Sequence, residues 1–164
     1  SSVFPTPCRN ALKFDDYMQA SAMNWSCTGR KLSRQVWNIM PRIREVDLYI
    51  RRRRLRGKIR EMHPEVVFWA LNGKVPLEHS KHTAEGIGAR SRLLSPLFPG
   101  LPELIRSVGE NGWFGRGLVA EDDVLDAVAG AVTATCKSAL RTLPAIPEAD
   151  RYGLPMEVVY PDVS

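Results

Sequence analysis

From Glu121 to Arg141 the chain runs without a proline, and its apolar residues recur at helical spacing. At 100° per residue, Val124, Leu125, Val128, Val132, Cys136 and Ala139 fall on one arc, and Asp122, Asp123 and Asp126 on the other. The pattern predicts one amphipathic helix over 121–141, with three carboxylates crowded into its first turns. Such acids suit the positive end of a helix dipole, by about 0.3–1 kcal/mol each. Asp122 and Asp126, however, are like charges at i,i+4, which opposes stability by a few tenths of a kcal/mol. Two readings stay open: acids that only stabilise the helix start, or acids whose repulsion a bound divalent cation relieves.

Upstream of this helix the pattern is mixed. Residues 1–10 read as an extended segment or loop. Leu32, Val36, Ile39, Ile43, Val46 and Ile50 recur every three or four places, which predicts helix from about Gly29 to Tyr49, covering a core, with Pro41 as a kink or break between two shorter helices. Lys58–His63 reads as a strand. Residues 65–71 form either a second strand or a short helix before the Asn72-Gly73 turn. Thr83–Phe98 and Leu101–Val108 read as helices, Gly109–Gly117 as a loop, and Met156–Tyr160 as a final strand.

The 164 residues, 44% hydrophobic and 25% charged, fit one globular domain across 1–164. No apolar stretch approaches the roughly 18 residues of a membrane span. Cys8, Cys27 and Cys136 are odd in number and widely spaced, with no metal-knuckle or redox-pair spacing, which suits a reducing cytoplasm. A net charge of +5 favours an anionic partner such as nucleic acid. Much of that charge sits in one place. Arg51, Arg52, Arg53, Arg54, Arg56, Lys58 and Arg60 put seven basic residues in ten positions. They read either as a solvated helix end or as a patch contacting phosphates. The run holds no aromatic residue, so base stacking is not indicated within it.

His63-Pro64-Glu65 places an imidazole and a carboxylate at the end of the expected strand, either as a site-lining pair or as an incidental pair in a surface turn. His79 and His82 have a zinc-like spacing but lack partner ligands nearby. The string Asp122–Asp126 is also similar to the aspartate-rich motif of isoprenoid synthases. Those are large helical bundles with a second acidic motif, which this chain lacks.

Four blocks in order resemble one family: Ser1-Ser2-Val3-Phe4-Pro5-Thr6-Pro7; Arg60–Glu65 running into Phe68–Gly73; Ser80–Gly86; and Asp122–Ala127, with the likeness extending to Gly153–Pro161. It is the domain-of-unknown-function family 429, predicted nucleases of RNase H-like fold. The resemblance implies an α/β domain whose mixed central sheet is flanked by helices. It also implies carboxylates that bind Mg2+ or Mn2+ for phosphodiester hydrolysis, as clustered hard oxygen ligands can. Matched by position, Glu65, Asp122, Asp123 and Asp126 would be the acids, with Glu65, Asp122 and Asp123 as metal ligands. His63 and Lys81 would line the site.

This sequence departs from the family at its start. Family members open with a strand bearing an aspartate beside glycine, followed by a second aspartate-bearing strand; neither is present here. The expectation is therefore the helix-rich C-terminal part of such a domain, inactive alone and partnered by a segment preceding Ser1. The rival, from another class, is a non-catalytic module binding nucleic acid, DNA or RNA, or another partner.

Overall fold

The computed structural model describes residues 5–55, 57–111, 119–136 and 139–162. The chain divides into two compact units, Ser1–Ile59 and Arg60–Ser164, each with its own hydrophobic cluster.

In the first unit a 3-10 turn, Ala11–Lys13, precedes helices α1 (Tyr17–Thr28) and α2 (Arg34–Arg52). Helix α1 is fixed by its ends. The Asp16 carboxylate accepts the Gln19 N–H at 2.9 Å, and Gly29, at φ +70°, closes the last turn in the left-handed region that favours glycine. The Ser33 hydroxyl caps α2 by accepting the Val36 N–H. Of the kink or break expected at Pro41, the break does not occur. Helix α2 continues through it to Arg52, because Val36 and Met40, one turn apart, are buried on the same face and hold the helix against the lost hydrogen bond. With Ala11, Leu12, Ala20 and Leu32 they form the core of this unit. Ile39 and Val46, expected to cover that core, face outward.

The second unit is built around α6 (Glu121–Thr135), which packs against α3 (Pro64–Leu71), α4 (Ala84–Leu94), α5 (Leu101–Asn111) and strand β2 (Val158–Pro161). Val124, Leu125, Val128, Ala129 and Val132 of α6 meet Val67 and Phe68 of α3, Leu94 of α4 and Leu101. Helix α6 ends sooner than its sequence pattern predicts. The Thr133 and Thr135 hydroxyls donate to the Ala129 and Val132 carbonyls, and the chain then turns to form β1 (Leu140–Leu143). Strand β1 pairs antiparallel with β2, Leu140 opposite Pro161 and Leu143 opposite Val158.

The expected strand over Lys58–His63 reduces to a single parallel bridge, Met62 with Val159, plus the Val159 N–H donating to the Glu61 carbonyl. The chain cannot continue as a strand there because His63 caps α3 and Pro64 occupies its first turn. Residues 65–71 accordingly form a helix. Where a mixed central sheet was expected, the described residues carry six helices and a two-stranded antiparallel sheet. The helix-rich character expected from the sequence is present. None of the described helices is long and apolar enough to cross a membrane.

Candidate functional site

The acids singled out in the sequence stand on two helix starts, and the cations that meet them come from α4 and the segment leading into it. At the start of α3, the His63 Nδ1 accepts the Glu65 N–H at 3.3 Å. Val67 and Phe68 face the core, so Glu65 is left to meet the side chain of Arg90, which is 2% exposed. Arg90 Nε and Nη2 donate to Glu65 Oε1 at 3.1 and 2.7 Å, and Nη2 also donates to Oε2 at 2.9 Å. Its Nη1 donates to the Gly86 and His79 carbonyls at 3.0 and 3.3 Å. These five bonds match the five N–H donors of a guanidinium. The guanidinium also lies 5.4 Å from the centre of the Phe68 ring.

The turn before α4 places the second cation. Thr83 caps the helix by accepting the Gly86 N–H at 3.1 Å, while its own N–H and hydroxyl both donate to the Ser80 carbonyl at 3.1 Å. Gly86 lies so close to that carbonyl that a Cβ there would overlap it. The folded-back turn presents Lys81, whose Nζ donates to Asp126 Oδ2 at 2.8 Å and lies 3.1 Å from Asp122 Oδ2. His82 Nδ1 lies 3.4 Å from the same Asp122 oxygen. The hydrogen bond to Asp126 holds the Lys81 ammonium above its usual range, against the opposing pull of burial. The ammonium in turn holds Asp122 below the usual carboxylate range. Asp126 Oδ1 is buried and has no hydrogen-bond partner.

Of the residues expected in the site, the fold thus joins Lys81, Asp122 and Asp126, and it ties His63 to Glu65. Asp123 turns the other way: its Oδ2 accepts the Ala120 N–H at 3.2 Å and caps its own helix. Arg90 was not foreseen. Its signal is positional, since Gly86, Arg90 and Leu94 recur at i, i+4 and i+8 on the buried face of α4. His79 and His82 show no zinc-type grouping; the first lends its carbonyl to Arg90 and the second faces Asp122.

A divalent cation needs several oxygens converging from side chains free to turn toward it. Here both oxygens of Glu65 bind Arg90, Asp123 caps a helix, and the Lys81 ammonium stands where Asp122 and Asp126 would share an ion. Among the described residues no three His, Cys, Asp or Glu side chains are grouped to hold a metal ion. As placed, these residues do not fit Mg2+ or Mn2+.

Apart from Arg60, the basic run belongs to the other unit. Arg51 and Arg52 form the last turn of α2, Arg53 follows as its C-cap, and Arg54 adopts φ +52°. Arg51 pairs with Asp47 one turn back, at 2.9 Å, and Arg9 pairs with the same carboxylate. Arg52, Arg53, Arg54 and Lys58 are exposed, and Arg56 lies outside the described residues. Arg60 leaves the run to bind Glu157 through two parallel hydrogen bonds of 2.7 and 2.8 Å.

Compared with known families, residues 1–149 match the model described as "Protein of unknown function (DUF429)". No curated protein matches the chain. No solved structure matches it either.

Proposed function

The chain belongs to the DUF429 family, and from that premise we propose that it binds nucleic acid on an RNase H-like frame without cleaving it. The observation that carries this reading is the closure of the acid cluster on itself. Lys81 compensates Asp122 and Asp126, Arg90 compensates Glu65, and Asp123 caps α6, so the acids the family resemblance offers for the site are engaged within the chain. Opening the Glu65–Arg90 pair would strip a buried guanidinium of its partner, at a cost of about 3–5 kcal/mol. With those acids neutralised internally, the exposed Arg52–Arg54 and Lys58 and the net charge of +5 remain to attract phosphates.

One observation favours a second reading, metal-dependent phosphodiester hydrolysis. Asp126 Oδ1 is a buried oxygen still lacking a partner. That reading needs further oxygen ligands beside it and release of Asp122 from Lys81.

Both readings are tested on the 164-residue chain with labelled single- and double-stranded DNA and RNA. Affinity and hydrolysis are measured with Mg2+ and with Mn2+. The expected result is salt-sensitive binding without cleavage. Metal-dependent cleavage that Asp122→Asn abolishes would transfer the case to the hydrolytic reading, and failure to bind all four substrates would remove the proposal.

A further inference from the structure

Cys8 and Cys27 carry no redox-pair spacing in the sequence, yet the Ser1–Ile59 unit brings both against one turn of α1. Asn24 makes the join. Its side chain is buried within α1 because it serves two segments: Oδ1 accepts the Cys8 N–H at 2.7 Å, and Nδ2 donates to the Arg30 carbonyl at 2.7 Å. The Cys8 backbone is thereby fixed beside the helix, one turn short of Cys27. From there Cys8 Sγ comes within 4.0 Å of the Met23 carbonyl oxygen, the helical acceptor one turn before the Cys27 N–H. Cys27 Sγ lies 4.0 Å from Met23 Sδ on the same turn. The two thiols also hydrogen-bond to each other; burial first, and that bond after it, push the Cys8 thiol above its usual range.

Cys27 stands in the last turn of α1, where the negative end of the helix dipole disfavours a thiolate. Neither sulfur is thus tuned as a nucleophile toward a substrate. What the geometry supplies is a partner thiol, with Cys27 exposed to an oxidant and Cys8 half-buried. We propose that Cys8 and Cys27 are a modification site, joined by a small-molecule disulfide into a reversible intramolecular disulfide that ties the segment before the 3-10 turn to α1. The Cys27 thiol loses its proton, and its sulfur attacks one sulfur of the small disulfide and expels a thiolate. The Cys8 thiol then loses its proton, and its sulfur attacks Cys27 Sγ and expels the second thiolate. Each expelled thiolate takes up one proton, so two protein thiols and one small disulfide give one protein disulfide and two small thiols. The tie reaches α2 as well, since Arg9, next to Cys8, pairs with Asp47. A unit the size of Ser1–Ile59 holds a modest core, so a loop closed across it contributes a large share of its stability.

The full chain is reduced, freed of reductant and treated with oxidised glutathione, and the products are followed by intact mass, thiol titration and peptide mapping. Wild type should yield a Cys8–Cys27 cross-link, and the Cys136→Ser chain should lose both remaining thiols with a mass lower by two hydrogens and no glutathione attached. Melting separates a link that the fold accepts from one made only because the two cysteines are near in the chain. An accepted link should raise the melting temperature of the whole chain by roughly 5–10 °C, and dithiothreitol should return it to its starting value. A chain carrying both Cys8→Ser and Cys27→Ser should melt alike with and without oxidised glutathione. A Cys8–Cys27 link that leaves melting unchanged or lowers it would overturn the site, because the native geometry would then not present the pair. Glutathione held on Cys27 beside a free Cys8, a link through Cys136, or thiols that survive the treatment would overturn it equally.

Discussion

Lys81 holds together a cluster that would otherwise repel itself. Asp122 and Asp126 are one turn apart, largely buried and of like charge, and a single ammonium meets an oxygen of each. The shifts this causes set the pH dependence. The Asp122 carboxyl titrates below its ordinary value of 3.8 because Lys81 donates to it, so its contribution to stability is complete above that value and lost as pH falls through the lower, folded one. Lys81 titrates above 10.5 because Asp126 accepts from it, so its contribution is complete below 10.5 and lost as pH rises through the folded value. Lys81→Met should therefore cost about 1–3 kcal/mol in the plateau between, with two carboxylates left short of their partner. The difference from wild type should shrink at both ends, where Asp122 gains a proton or the ammonium loses its own. Urea unfolding of both proteins near neutrality and near each extreme would show this, and equal midpoints at neutral pH would remove Lys81 from the stability of the site.

The cluster exists only because the turn before α4 folds back onto its own helix, and Gly86 is what permits that approach. A methyl group there meets the Ser80 carbonyl and comes within 3.2 Å of Arg90 Nη1, so Gly86→Ala should destabilise by about 1–3 kcal/mol and disturb the presentation of Lys81. Gly88→Ala is the internal control. Its Cβ would meet only Arg92 Nη1 at 3.5 Å, an ordinary contact, so the loss of glycine's freedom should stabilise α4 by about 0.5–1 kcal/mol. Thermal melts of the two variants should move in opposite directions, and a shared direction would contradict the packing described. These elements also mark what could be read from the sequence. The core face of α6 was legible because Val124, Leu125, Val128 and Val132 repeat at helical spacing, whereas its end depends on threonine back-bonding and on pairing with distant β2. Helix α1 offered no apolar stripe: it buries Ala20, Ser21 and Asn24 while exposing Met18 and Trp25, and only Asp16 and Gly29 mark its ends. The acids of the site were legible as residue types. Their closure by Lys81 and Arg90 was not, since those contacts span 45 and 25 residues and follow from the packing of α4 beside α6 and α3.

Across the whole molecule, the net charge of +5 describes the sum but not which charges are available to a partner. Within the run from Arg51 to Arg60, Arg51 is matched by Asp47 and Arg60 by Glu157, so the ends are tied down while Arg52–Arg54 stand exposed between them. Changing Arg52, Arg53, Arg54 and Arg56 to Gln should therefore weaken nucleic-acid binding. Each lost phosphate contact should also flatten the dependence of log affinity on log salt, by about 0.9 on duplex DNA and about 0.7 on single strands. Stability should move by no more than about 0.5 kcal/mol for each of Arg52, Arg53 and Arg54, as for exposed positions generally. Arg60→Gln is the counter-case. The Glu157 side chain, 4% exposed, would lose a bidentate partner, so this variant should be distinctly less stable while its salt slope stays that of wild type. Binding isotherms over a range of salt, paired with denaturant melts, separate the two. An unchanged slope in the fourfold variant would leave Arg52–Arg54 as a solvated helix end, and a slope that falls in Arg60→Gln would mean that the ion pair with Glu157 gives way when phosphate is offered.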